Sequence, residues 1–151
     1  MTPALEAKAL ALLDQHKVMG LATVRPDGWP QATTVGYAHE GTMLYFLCAP
    51  DSQKAANIAR DNRVSLTIDH DEAQVMKIEG LSMAARAFRI TDPREAERVM
   101  ALILSRYEAQ QAALPSPPSA SQVALFRVQP FVISVLDYSK GFGHTDLVPC
   151  S

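Results

Sequence analysis

The chain has 151 residues, of which 48% are hydrophobic and 20% charged. This length is enough for one hydrophobic core and short for two, so we expect a single domain over residues 1–151. The formal net charge of −2 and the lack of any run of Lys and Arg argue against a nucleic-acid partner. No apolar run approaches membrane-spanning length and the first residues lack a basic leader pattern, so we expect no membrane partner and a cytoplasmic protein.

The first predicted elements are a helix and a strand. Thr2 is suited to an N-cap and Pro3 to the first helical position, and the apolar residues that follow recur at helical spacing to about Gln15. Small and apolar residues then alternate from Val18 to Val24, which is the period of a strand.

Two turns follow this strand. Arg25-Pro26-Asp27-Gly28 has the composition of a tight turn, and a second strand is expected from about Gln31 to Ala38. His39-Glu40-Gly41 is predicted to be the next turn, with His39 as a turn residue. Short connections of this kind favour an antiparallel sheet.

The central stretch is a strand, a turn and a short helix. Leu44 to Cys48 is a continuous apolar run that Ala49-Pro50 ends, and Asp51-Ser52 supplies N-cap side chains for a helix. The free N–H groups at such a helix start, together with the ammonium of Lys54, would form an anion site of the size of a phosphate. The alternative is that Ser52 only caps the helix and Lys54 is only solvated.

A strand from Arg63 to Asp69 comes next, followed by a polar corner at His70-Asp71-Glu72 that we do not interpret as a metal site. Val75 to Ile90 is a candidate for one long strand, and Gly80 within it is expected to mark a bulge or bend. Long bent strands are typical of barrels.

The last third contains a helix and two strands. Asp92-Pro93-Arg94-Glu95 has the form of a capping box, and apolar spacing continues the helix to Tyr107. Leu114 to Ser121 is a Pro/Ser loop, either a plain connector or the border of a pocket. Val123–Val128 and Phe131–Leu136 are predicted as two strands separated by Gln129-Pro130.

The sum of these elements is mainly β, a six- to seven-stranded curled antiparallel barrel with helices outside it. Cys48 and Cys150 form no disulfide framework or zinc spacing, and we expect free thiols. His144 and Asp146 invite comparison with a catalytic dyad. Residues two apart in a strand share a face without bonding, however, and no activated nucleophile accompanies them.

The central strand and the stretch from Ser52 through Leu66 resemble the phosphate-binding segment of the pyridoxamine 5′-phosphate oxidase-like family of FMN-binding split barrels. That family has Ser-Arg-Lys where this chain has Ser52-Gln53-Lys54. Three further stretches are similar to family motifs: Trp29 to Tyr37, Gln74 to Gly80, and Phe131 to Val148. In the last of these, only Lys140 and His144 stand where the enzyme that names the family has a substrate-binding arginine and histidine.

The resemblance implies an FMN-binding homodimer with the cofactor at the subunit interface and a small-molecule substrate or reductant. Within it, Gln74 and Tyr138 reach the flavin held by the other subunit. The cofactor-binding residues that the resemblance implies are Thr33, Thr34, Val35, Gly36, Leu47, Cys48, Ser52, Gln53, Lys54, Asn57, Gln74, Tyr138 and Lys140.

No protein side chain need act as a catalytic acid in such a flavoprotein, because the flavin carries the redox step. We therefore expect an FMN-dependent oxidoreductase without a catalytic side chain. Two alternatives stay open: a deazaflavin-dependent or haem-handling relative with the same fold, and a non-enzymatic flavin-binding or sensing module.

Overall fold

The computed structural model describes residues 2–107 and 118–150. Its three helices are α1 (Pro3–Gln15), α2 (Gln53–Arg60) and α3 (Pro93–Arg106). The eight strands of the described residues are β1 (Val18–Val24), β2 (Pro30–Gly36), β3 (Ala38–Glu40), β4 (Met43–Cys48), β5 (Arg63–Ile68), β6 (Glu79–Arg89), β7 (Ala124–Asp137) and β8 (Thr145–Pro149). No helix of this part of the chain has the length and apolar character needed to cross a bilayer.

All strands pair antiparallel in one sheet of order β2-β1-β5-β6-β7-β4-β3, and β8 also pairs with β7. β2 contacts β4 without hydrogen-bonding to it, so the sheet curls toward closure and stays open between these two strands. This confirms the predicted antiparallel split barrel with flanking helices. The short strands β3 and β8 add to the strands that the sequence pattern indicated.

The inner face of the curled sheet holds the core. Phe46 on β4 and Phe126 on β7 stack at 5.1 Å between ring centroids, and both are fully buried. Ala9, Leu12 and Leu13, the apolar face of α1, close one side of this core. The helix spacing noted in the sequence therefore corresponds to the buried face of α1.

The end of α1 is tied to α3 through the carbonyl groups that a helix terminus leaves without intrahelical partners. The Tyr37 hydroxyl lies 2.7 Å from Leu13 O and 2.8 Å from His16 O, and its one proton is shared between these two acceptors. The Arg106 guanidinium of α3 also donates to both oxygens and lies 4.9 Å from the Tyr37 ring centroid. Burial raises the pKa of Tyr37 to about 12, so its hydroxyl remains a donor at neutral pH.

The predicted strand Gln31–Ala38 is wrong at its end. β2 stops at Gly36, and a separate strand begins at Ala38, so His39 and Glu40 pair with β4 rather than forming the turn. The turn is made by Gly41, whose φ of +56° lies in the left-handed region that glycine tolerates. His39 Nε2 lies 2.7 Å from Asp14 Oδ1 and links β3 to α1.

The predicted strand Val75–Ile90 is wrong in where the strand starts and in where its bulge lies. Val75–Lys77 is a single 3-10 turn that follows Gln74, and β6 begins only at Glu79. The bulge falls between Ala84 and Ala85. Gly80 instead permits close approach, because a Cβ there would lie 2.6 Å from the carbonyl oxygen of Ile68.

The two predicted strands Val123–Val128 and Phe131–Leu136 are one continuous strand, β7. Pro130 does not interrupt it because it sits at the bulge, where Ala84 pairs with Val132 and Ala85 with Pro130. The predicted loop Leu114–Ser121 lies partly outside the described residues. Its described end enters a 3-10 turn, Ala120–Gln122.

Candidate functional site

The N-terminus of α2 carries backbone donors without acceptors. The Ser52 hydroxyl accepts from Ala55 N at 3.2 Å, and Ser52 O accepts from Ala56 N at 3.2 Å. These bonds leave the N–H groups of Gln53 and Lys54 without an acceptor among residues 2–107 and 118–150. Ser52 is therefore the N-cap as predicted, and it satisfies only part of the helix terminus.

Lys54 lies in the first turn of α2, half-buried. Within the described part of the chain its ammonium has no carboxylate partner and no hydrogen bond. The Ser52 hydroxyl lies 3.5 Å from Cys48 Sγ, a weak acceptor that an oxyanion would readily replace. A cationic residue, two free N–H groups and a hydroxyl thus lie within the three consecutive residues 52–54, where β4 passes into α2.

Gln53 is turned toward α2 rather than away from it. Its Nε2 donates to Asn57 Oδ1 at 2.7 Å. Asn57 is fully buried and donates in turn to Thr23 Oγ1 at 3.0 Å and Gln31 Oε1 at 3.2 Å. This amide network fixes α2 against β1 and β2, which holds the helix N-terminus in place.

β2 is the other part of the site. It pairs only with β1, so the backbone groups along its second edge are free of ladder bonds in the described sheet. Thr34 and Gly36 face outward, while Thr33 and Val35 face inward. The Thr33 hydroxyl is buried without a hydrogen-bond partner in the described part of the chain. Packing also favours glycine at position 36, because a Cβ there would lie 2.6 Å from the Tyr107 hydroxyl oxygen.

Leu47 and Cys48 end the neighbouring strand β4. Both are partly buried, with Leu47 packed against the cluster beneath α3 and Cys48 against the main core. The structure therefore places ten of the thirteen predicted residues on β2, at the end of β4 and in or just before α2, and β2 contacts β4.

Gln74 and Tyr138 lie elsewhere. Gln74 caps the 3-10 turn before β6, here named the Gln74 turn, and Tyr138 opens the 3-10 turn Tyr138–Lys140 after β7, here named the Tyr138 turn. The two turns touch, and Tyr138 N donates to Ile78 O at 2.9 Å. Both lie at the end of the sheet where β1 begins, whereas Asn57 contacts the end where β1 finishes, about 20 Å away for a strand of this length.

The turn after β7 also corrects the prediction about His144 and Asp146. The two side chains do bond, with His144 Nε2 3.1 Å from Asp146 Oδ2, because His144 precedes β8 and curls back toward it. Lys140 Nζ lies 4.0 Å from the same carboxylate. At the polar corner, His70 Nε2 lies 3.2 Å from Glu72 Oε2, and the His70 ring stacks on the ring of His16 at 5.7 Å between centroids. No three metal-ligating side chains converge among the described residues.

Several residues that shape these regions were missed in the sequence. Thr23 and Gln31 bind Asn57, and Lys8 contacts two carboxylates beside the Gln74 and Tyr138 turns. Alternation places Gln31 on the inner face of β2, which was a usable signal. No local sequence pattern pointed to Lys8, because its partner Asp137 is 129 residues away.

A curled antiparallel sheet open at β2, with helices outside it, defines the class of split-barrel proteins. The chain belongs to the pyridoxamine 5′-phosphate oxidase family, whose sequence model matches residues 5–136. No curated protein matches the sequence.

Solved structures share the fold. A putative pyridoxamine 5′-phosphate oxidase from Listeria innocua is 24% identical with a TM-score of 0.71, over 88% of this chain and 98% of that one. A haem-binding protein from Mycobacterium smegmatis is 20% identical with a TM-score of 0.77, over 99% of this chain and 59% of that one. A haem storage protein from Vibrio cholerae is 23% identical with a TM-score of 0.68, over 83% and 89%.

Proposed function

We propose that this protein binds FMN and is an FMN-dependent oxidoreductase acting on a small molecule. The observation that carries the proposal is the group of unused donors at the start of α2. The N–H groups of Gln53 and Lys54 and the ammonium of Lys54 have no acceptor in the described chain. A helix N-terminus with a nearby cation favours a terminal phosphate over a neutral ligand.

The alternative, a capped helix with a solvated lysine, explains less. Capping by Ser52 accounts for the N–H of Ala55 and leaves the two preceding N–H groups unused. It also leaves unexplained the inward Thr33 hydroxyl, which is buried without a partner on the same strand as Gln31. Both features suit a ligand that runs from α2 along β2.

The flavin ring would then lie along the free edge of β2. Backbone N–H and C=O groups alternate there, which matches the alternating acceptors and donor on the pyrimidine edge of a flavin. Ala32 and Thr34 present only small side chains on the outer face, so a planar ring can approach the backbone there. When bound, the flavin supplies the electron transfer, and the residues of the chain hold and orient it.

We further propose that the protein is a homodimer, joined through the outer face of the sheet. Two central rows of outward side chains, contributed by six strands, form an uncharged face that Arg63 and Arg86 border: Gly20, Ala22, Ala32, Thr34, Ser65, Thr67, Ser82, Ala84, Val132, Ser134, Leu147 and Pro149. Leu147 is 68% exposed at its edge. An uncharged face of small residues suits close contact with a second copy.

A dimer also explains the distance between the two parts of the predicted site. Gln74 and Tyr138 lie at the opposite end of β1 from Asn57, so a two-fold related copy is needed to bring them to the flavin held by α2. Gln74 is exposed and offers both an amide donor and an amide acceptor.

The test is to titrate the purified protein with FMN and, separately, with haemin, and then to add NADH or NADPH to the FMN-loaded protein without oxygen. We expect FMN to bind at one per chain and its absorbance to be bleached by one of the donors. Binding of haemin with no binding of FMN would instead favour a haem-handling protein. FMN that binds and resists both donors would favour a sensing module.

A further inference from the structure

Two carboxylates face each other at one end of the sheet. Glu79 is the first residue of β6 and Asp137 the last of β7, and they are direct partners in the register of the two strands. Asp137 is only 6% exposed. Like charges directly opposite each other destabilise an antiparallel pair, so this position needs a compensating cation.

Lys8 of α1 supplies that cation. Its ammonium lies 2.7 Å from Asp137 Oδ2 and 3.3 Å from Glu79 Oε2. The hydrogen bond from Lys8, and after it that from Ser139, lowers the pKa of Asp137 to about 2, and the same bond raises the pKa of Lys8. Lys8 and Asp137 are therefore both charged at neutral pH, and their ion pair fastens α1 to the end of β7.

This bridge sits where the Gln74 turn and the Tyr138 turn meet. The Gln74 turn leads directly into Glu79, and the Tyr138 turn starts directly after Asp137. Asp137 Oδ1 accepts from Ser139 N at 3.1 Å and from Ser139 Oγ at 2.5 Å, which fixes the backbone of the second turn. The bond from Tyr138 N to Ile78 O then joins that turn to the first.

We infer that Lys8 is a positioning residue for the flavin site, because its bridge between Glu79 and Asp137 holds the turns that carry Gln74 and Tyr138. This rests on the proposed function, in which those two residues reach the flavin held by the partner. Without the cation, the carboxylates repel each other and the two turns separate. Gln74 and Tyr138 then meet the flavin in only a fraction of the molecules.

The experiment compares Lys8→Met with wild type by FMN titration and by hydrogen exchange of residues 74–80 and 137–142. If the turns keep their bound arrangement in about a tenth of Lys8→Met molecules, FMN affinity falls about tenfold. Exchange of both segments rises at the same time, and exchange of α2 stays unchanged. Lys8→Arg keeps the cation and retains wild-type affinity.

Two further variants separate positioning from general loss of stability. Lys8→Met/Glu79→Gln removes the repulsion between the two carboxylates along with the cation. We therefore expect this double variant to bind FMN within about threefold of wild type, a difference of less than about 1 kcal/mol in binding free energy. Arg127→Met is the matched control. Its ion pair with Glu95 is also 2.7 Å long and lies beside α3, and its loss should leave FMN affinity unchanged.

Wild type that binds FMN and Lys8→Met that binds it equally well would overturn the inference alone. A double variant that folds and binds as weakly as Lys8→Met would overturn it too. If Lys8→Met does not fold, the double variant is compared with wild type, and a folded double variant that binds FMN more than about tenfold more weakly than wild type would overturn the inference. Wild type that binds no FMN would refute the proposed function and the flavin role of Lys8 with it. In that case unchanged exchange of both segments in Lys8→Met would also refute the bridge itself.

Discussion

Replacing Asn57 by Ala should destabilise the protein more than any surface change on α2. The side chain is fully buried and takes part in three hydrogen bonds, two donated to Thr23 and Gln31 and one accepted from Gln53. Gln53 is exposed and can turn to water after the change. Thr23 is 2% exposed and cannot, so its hydroxyl would be left without its partner.

The magnitude follows from these contacts. Leaving the buried Thr23 hydroxyl and the half-buried Gln31 amide unpaired costs about 1–3 kcal/mol, while Ala in a helix interior returns about 0.5 kcal/mol relative to Asn. The space once filled by the amide adds to the loss. We therefore expect the free energy of unfolding to fall by about 2–3 kcal/mol, which lowers Tm by about 4–12 °C in a chain of this size.

Urea denaturation followed by circular dichroism measures this, with the m value expected to stay constant. Asn62→Ala is the control, because within residues 2–107 and 118–150 the Asn62 side chain makes one hydrogen bond, accepted from the exposed Arg86 at 2.8 Å. That change should stay within about 0.5 kcal/mol of wild type. A loss below about 1 kcal/mol for Asn57→Ala would refute the view that this network holds α2 in place.

Three further predictions concern single residues. Lys54→Ala should weaken FMN binding about tenfold to a hundredfold, with a smaller effect at high salt, and should leave riboflavin binding and folding unchanged. If Lys54→Ala binds FMN as tightly as wild type, the phosphate is held elsewhere. Gln53→Arg should strengthen FMN binding about tenfold without affecting riboflavin, since the native amide is held by Asn57; an unchanged affinity ratio would contradict this. Because the pKa of Asp137 is lowered to about 2, its bond with Lys8 stabilises the fold fully above about pH 3.9, the pKa of an unfolded Asp, and this stabilisation is lost as the pH falls toward about 2. The free energy of unfolding should therefore depend less on pH in this range in Asp137→Asn than in wild type.

The sequence predicted best those features that local chemistry determines. Thr2 and Pro3 set the start of α1, and Ser52 and Asp92 cap α2 and α3, each accepting the backbone N–H three residues on. The turn at Arg25–Gly28 and the strand before it also follow from neighbouring residues. Caps and turns depend on a few adjacent residues, so they can be read without the fold.

Features that depend on distant partners could not be read in this way. Pro130 suggested a break in the sheet, and only the bulge opposite Ala84 and Ala85 lets β7 continue through it. Gly80 suggested a bulge, whereas it allows close contact with the end of β5. The separation of the Gln74 and Tyr138 turns from α2 follows from strand order, which no local pattern contains.

Residues that act through long-range contacts were the least predictable part of the candidate site. Asn57 entered through the family resemblance, and its partners Thr23 and Gln31 became visible only once α2 packed on β1 and β2. Lys8 resembles any exposed lysine of an amphipathic helix until the fold places it between two carboxylates.

The most direct test of the central claim is a fluorescence-quench titration of the wild-type protein with FMN, riboflavin and FAD under the same conditions. If the N-terminus of α2 binds a terminal phosphate, FMN binding should saturate at one FMN per chain. FMN should also bind at least about tenfold more tightly than riboflavin, because only FMN gains the charge-assisted contact with Lys54. FAD, whose phosphate is esterified, should bind more weakly than FMN. Equal affinity for FMN and riboflavin, or no flavin binding at all, would contradict the account.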